Sequence, residues 1–193
     1  MMKQKIVNKI RESIAVKEAI CQDEQLVNII KLAADTITHS LQTDHKILFC
    51  GNGGSAADAQ HLAAELSGRF YKDRMPLYAE ALHCNTSYLT AVGNDYGYEQ
   101  VYARILRGIG RQGDVLVAIS TSGNSANIVG AIKAAKEQGM IVVSMTGSTG
   151  GKMKALSDYL INIPSGDTPR IQESHILVGH IICEIVENNL FGE

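Results

Sequence analysis

Two stretches of this 193-residue chain hold residue types suited to chemistry. In CGNGGSAADAQHLAAELSGRF, residues 50–70, a glycine-rich turn runs into a helical pattern carrying His61, Glu65 and Arg69 at four-residue intervals. That interval puts all three on one helix face. Glu65 stands among small and apolar neighbours, where partial burial would make it a base usable near neutrality. A solvated chain of i,i+4 pairs would have the same spacing. The second stretch, RIQESHILVGHIICEIVENNLF, carries Gln172, Glu173, His175 and His180, the last inside an apolar run. A histidine there is either a hydrogen-bonded core residue or a reacting group. If the second helix packs across the first turn, Glu65 and His180 face one another over a bound ligand. A base beside an acid is what aldose–ketose isomerisation needs: one takes the proton next to a carbonyl, the other protonates the carbonyl oxygen, and an enediol results. The same side chains also suit a metal, with His61, Glu65 and His180 as zinc donors and Gln172 as an unusual fourth.

Two loops could hold the anionic end of such a substrate. In GNGGS, Asn52, Gly53, Gly54 and Ser55 follow an apolar run and precede a helix, whose unpaired N–H groups favour anions. In STSGNS, Ser120, Thr121, Ser122 and Ser125 crowd four hydroxyls into six residues at another helix start. An N-cap explains one of those serines, not the cluster. A third stretch, GNDYGYE, offers Asn94 and Asp95 on what reads as a turn, for sugar hydroxyls or for an Asx-turn. No loop has the lysine-bearing spacing of a nucleotide P-loop, and GNGGSA lacks the dinucleotide fingerprint, so no nucleotide cofactor is expected. Neutral donors around a phosphate point to a phosphorylated sugar.

Short apolar runs must position these loops: KILFCG, PLYAEALHC, DVLVAIS, MIVVSMTG and DYLINIP, separated by amphipathic stretches such as VYARILRGIGRQG and SANIVGAIKAAKEQG. Strands that apolar are buried on both faces, as in parallel sheets with helical crossovers. The expected fold is α/β, a doubly wound five-stranded parallel sheet of undetermined strand order. Residues 1–42 read as a lead-in helical pair broken near CQDE, and residues 43–193 as the sheet domain.

Bulk properties fit. The chain is 45% hydrophobic, with 18 Lys plus Arg against 20 Asp plus Glu and no block of one sign, so neither nucleic acid nor a membrane surface is an expected partner. MMKQKIVNKIRES is too polar for a signal-peptide core, no apolar run spans a bilayer, and the cytoplasm is the expected compartment. The four cysteines lack CxxC spacing and read as reduced thiols, mostly core filler.

In combination, CGNGGSAADAQHLAAELSGRF, AVGNDYGYE, DVLVAISTSGNSANI, GMIVVSMTGSTGGKM and DTPRIQESHILVGHIICEIVE resemble the phosphoheptose isomerases, enzymes of the sugar-isomerase (SIS) domain. The resemblance implies a flavodoxin-like sheet in a homotetramer with active sites at subunit contacts. It implies conversion of sedoheptulose 7-phosphate to D-glycero-D-manno-heptose 7-phosphate, for heptose precursors of the bacterial envelope (lipopolysaccharide biosynthesis). By the same resemblance Asn52 to Ser55 and Ser120, Thr121, Ser122 and Ser125 grip substrate and phosphate. Asn94, Asp95 and Gln172 contact substrate, Glu65 is the base and His180 the acid. Zinc at His61, Glu65, Gln172 and His180 is implied as well, in competition with the acid–base roles. A related SIS protein serves as a non-catalytic binding module for a replication initiator. It lacks the glutamate–histidine pairing that Glu65 and His180 retain here, and no DNA-binding module precedes the domain as it would in a sugar-sensing regulator.

Overall fold

The computed structural model describes residues 1–192, so the last residue of the expected sheet domain, Glu193, lies outside the described residues. Two helices lead in, α1 (Met2–Gln22) and α2 (Glu24–Gln42). They part at Asp23, whose carboxylate accepts the Leu26 N–H at 2.9 Å and caps α2. The chain then alternates through β1 (Ile47–Cys50), α3 (Gly54–Ser67), β2 (Ala79–Ala81), α4 (Thr86–Tyr96), α5 (Val101–Ile109), β3 (Val115–Ile119), α6 (Ala126–Glu137), β4 (Ile141–Thr146), β5 (Tyr159–Asn162) and α7 (Thr168–Phe191).

The five strands pair in the order β2-β1-β3-β4-β5, every pair parallel. This is the doubly wound sheet the apolar runs predict, in the flavodoxin-like order the resemblance implies. Every residue of β1 and β3 is buried, and successive side chains feed opposite layers. Ile47, Phe49, Val115, Val117 and Ile119 pack against α2, α3 and α7. Leu48, Cys50, Leu116 and Ala118 pack against α5 and α6. The connections reverse direction between β1 and β3, so the loops leaving those two strands flank the switch point where such folds bind ligands.

Two expectations change. The first four residues of GNDYGYE are helical rather than a turn: Asn85 accepts the Tyr88 N–H at 3.0 Å and starts α4 (Thr86–Tyr96), and Val92 anchors it on the core. Asn94 and Asp95 therefore occupy its last turn. Of the four cysteines only Cys50 and Cys183 are core filler, while Cys21 and Cys84 are exposed, and all four are free. The first half of α1 stands off this chain's core, with Ile6 56%, Ile10 55% and Ile14 47% exposed, while Ile20 near its end is buried in it.

Candidate active site

At the carboxyl ends of β1 and β3 the two predicted loops lie side by side. Asn52 and Asn127 join them through their side-chain amides at 2.8 Å. Gly53, at φ 55°, turns the chain from β1 into α3, a conformation that favours glycine. At Gly54 a Cβ would stand 2.6 Å from Gln172 Nε2, so the side-chain amide of Gln172 on α7 rests directly on the loop backbone and would have to swing aside for a larger residue.

In the second loop Ser125 occupies the N-cap of α6 without making a capping bond; its hydroxyl instead lies 3.1 Å from that of the buried Ser120. The Ile128 N–H is taken by Asn127 Oδ1 at 3.0 Å, and those of Ala126 and Asn127 are left for another acceptor, the local condition for anion binding. Ser122 accepts the Asn124 N–H at 3.2 Å, and Asn124 in turn accepts the Lys152 N–H at 3.0 Å, tying this loop to the one after β4. Between them opens a cleft of about 320 Å³ whose walls include Thr121, Ser122, Ser148, Thr149, Ser165 and Thr168. The last four were not singled out from the sequence. The signal was present in GSTGG, a hydroxyl and glycine cluster after an apolar strand, like STSGNS.

The helix-borne groups converge where α7 packs on α3. His61 and Glu65 share a face of α3, with His61 Nε2 at 3.2 Å from Glu65 Oε1. His180 comes from α7, and its Nε2 lies 3.0 Å from His61 Nε2, so one ring donates and the other accepts. The Glu65 side chain is 21% exposed, which leaves its carboxylate open to a ligand. Phe70 stacks at the side, its ring centroid 5.9 Å from that of His180. Asn94 and Asp95 are exposed on α4 and hydrogen-bonded to each other at 2.9 Å. Tyr98, just beyond α4, reaches Asn52 Oδ1 at 3.5 Å.

The donors of His61, Glu65 and His180 lie within 4.8 Å of one another. Zinc bonds of about 2.0–2.1 Å set tetrahedral ligands roughly 3.3 Å apart, and two imidazoles with one carboxylate are a donor set zinc accepts. The residues present fit that ion. Gln172, held against Gly54 one helical stretch earlier on α7, is the remaining member of the expected set.

Two further histidines differ. His175, 0% exposed, bonds the Thr146 carbonyl at 3.1 Å, and burial lowers its pKa from 6.5 to about 4, against the opposing pull of that bond. It is a neutral core residue pinning α7 to the end of β4. His83, after β2, is also pushed down by burial.

Comparison with known proteins identifies the fold and the family. A family model described as the SIS domain matches residues 10–147. The phosphoheptose isomerase of Aneurinibacillus thermoaerophilus is 54% identical over 186 residues, covering 96% of this chain and 94% of that protein. The structure of phosphoheptose isomerase GmhA from Neisseria gonorrhoeae superimposes with a TM-score of 0.92 at 46% identity, over 97% of this chain and 100% of that one. A phosphoheptose isomerase from Francisella tularensis gives 0.93 at 34% identity, over 97% and 99%. None of these three relatives supports the binding-module alternative. The chain belongs to the phosphoheptose isomerase family and is a phosphosugar isomerase built on the SIS domain.

Proposed function

We propose that this isomerase interconverts sedoheptulose 7-phosphate and D-glycero-D-manno-heptose 7-phosphate through an enediol. The reading is carried by one juxtaposition: a carboxylate and an imidazole from separate helices meet around His61, in a domain whose loops after β3, β4 and β5 line a hydroxyl-rich cleft.

In this mechanism the phosphate sits on the amides at the start of α6 and on the hydroxyls of Ser120, Thr121, Ser122 and Ser125. Asn52 to Ser55 and Gln172 orient the sugar, with Asn94 and Asp95 assigned to its hydroxyls. Binding energy from the remote phosphate places the reacting carbons. Glu65 takes a proton from C1 of the ketose while His180 gives one to the oxygen on C2. The resulting enediol collapses when Glu65, its proton having exchanged with solvent, protonates C2 and His180 recovers a proton from the oxygen on C1. Protons and electrons balance with no redox partner, and no nucleotide cofactor enters. His61, Glu65, Gln172 and His180 would hold zinc, which when bound supplies positive charge that polarises oxygens on the reacting carbons. A carboxylate committed to the ion is a weaker base, so the acid–base roles belong to substrate-bound geometry.

Homotetramer formation is part of the same proposal. It is supported by the exposed Ile6, Ile10 and Ile14, which with Lys9 and Arg170 line a groove of about 630 Å³ between α1 and the start of α7. A surface that apolar is covered in a stable assembly. A cytoplasmic role in supplying heptose to the cell envelope completes the proposal. Among the described residues no helix is long and apolar enough to cross a membrane.

The test is incubation of the purified chain with sedoheptulose 7-phosphate in deuterated water. Formation of the aldose with deuterium at C2 is expected. Neither product nor exchange, with zinc added or removed, would discard the reading.

A further inference from the structure

The two helices that bring Glu65 and His180 together are joined by a buried charge pair that the proposed reaction does not use. Glu187 follows His180 by seven residues on α7, two helical turns, so both project from the same side. One oxygen of its carboxylate accepts the backbone N–H groups of Tyr71 at 2.8 Å and Lys72 at 3.0 Å. The other accepts the Phe70 N–H at 3.2 Å and the Arg74 Nε–H at 3.0 Å. The remaining guanidinium donors of Arg74 turn to α3. They reach the carbonyl oxygens of Glu65 at 2.9 Å, Leu66 at 2.7 Å and Gly68 at 3.0 Å. The first two are among the carbonyls that the last turn of a helix leaves without partners. A side chain of α7 therefore holds a loop, and that loop's arginine caps the helix on which Glu65 sits.

The Arg74 and Glu187 side chains are 3% and 1% exposed. Burial alone would raise the Glu187 carboxyl, but the N–H groups of Tyr71, Lys72 and Phe70 and the Arg74 side chain hold it below the usual carboxylate range. Desolvation offsets much of the attraction in such a pair, so apolar side chains of like volume would stabilise the fold about as well. What the pair adds is direction. The carboxylate is fixed by four donors and the guanidinium fork by the helix carbonyls, which together define where residues 65–74 lie against α7.

That placement bears on the site in two ways. Gly179, next to His180, lies so near α3 that a Cβ would stand 2.5 Å from Leu62 Cδ1. Phe70, at the head of the clamped loop, flanks the His180 ring.

We propose that Glu187 and Arg74 are positioning residues of the isomerase. By clamping residues 70–74 between α3 and α7 they set the approach of Glu65 to His180 and hold Phe70 against the imidazole. The proposal rests on the isomerase reading above. Neither residue touches the sugar, and the expected effect is geometric, since a misplacement of about 1 Å can cost on the order of 100-fold in rate.

The experiment compares wild type with Glu187→Gln, Glu187→Asp and Arg74→Lys. Binding sites are titrated calorimetrically with the reduced heptitol 7-phosphate, which cannot isomerise, and kcat is expressed per titrated site. For Glu187→Gln we expect kcat per site to fall roughly 10- to 100-fold while affinity for the polyol phosphate stays within about twofold, because β3 and β4 carry the phosphate loops. Glu187→Asp, which keeps the charge, should recover part of the loss. Should Glu187→Gln fail to fold, Arg74→Lys, which keeps the charge but loses the fork, carries the same expectation. Variants that lose sites or melt earlier, yet keep wild-type kcat at each remaining site, would reduce the pair to a packing role and overturn the proposal alone. A wild type that binds the polyol phosphate but never isomerises the ketose would overturn the isomerase reading, and this proposal with it.

Discussion

The proposed phosphate cradle and the imidazole–carboxylate cluster belong to one domain and are made in opposite ways. The cradle comes from loops: hydroxyls and amides of residues 120–125, with Ser148, Thr149, Ser165 and Thr168 around them, none of which carries charge. Contiguous backbone sets most of its geometry. The cluster comes from helices, with two members on α3 and one on α7, separated by 119 residues between His61 and His180. Its geometry depends on how closely those helices pack. Substitutions in the cradle should therefore weaken binding, and substitutions in the cluster should stop chemistry.

The sharpest way to break that division is Glu65→Gln. The amide keeps the shape but accepts no proton, so turnover should fall at least about 10³-fold, while affinity for the heptitol phosphate changes by less than about twofold. Initial rates and calorimetry read the two effects separately. Normal turnover by this variant would remove Glu65 as the base.

His175 tests the link between the regions, since it ties α7 to the carboxyl end of β4. Its folded pKa is about 4 against an ordinary 6.5, so below pH 6.5 the unfolded chain binds a proton the folded chain refuses. Stability from this group is therefore complete above pH 7 and is lost as pH falls towards 4, by about 3 kcal/mol. Urea unfolding across that range should show the slope, and His175→Gln should flatten it.

Two smaller effects sharpen the comparison. Zinc titrated into the metal-free chain should bind at one ion per chain, and His61→Ala should weaken it at least about tenfold, read by competition with a chelator. Ser120→Ala removes one neutral hydroxyl from the cradle, which should cost about tenfold in affinity for the polyol phosphate, with kcat nearly unchanged.

The same contrast explains what the sequence made legible. The five strands were readable because a parallel sheet buries both faces and so demands short, continuous apolar runs. Their order was not, because pairing of β1 with β3 is a tertiary choice. STSGNS was readable as a hydroxyl cluster at a helix start because its donors are adjacent in the chain. For His61, Glu65 and His180 the residue types and the helical spacing were visible, but their meeting depended on an assumed packing of α7 across α3. Arg74 and Glu187 gave no local signal at all: a lone arginine in a loop and a lone glutamate on a helix acquire meaning only from hydrogen bonds across 113 residues. The α4 helix was missed because its glycine, asparagine and aspartate suggested a turn, whereas the Asn85 cap and the Val92 anchor decide the conformation.

The most direct measurement is a crystal structure of the Glu65→Gln variant with sedoheptulose 7-phosphate bound. The account places the phosphate on the amides and hydroxyls of residues 120–125, with the first two carbons within hydrogen-bond reach of position 65 and of His180. A phosphate seated elsewhere, or a sugar whose carbonyl end points away from α3 and α7, would contradict it.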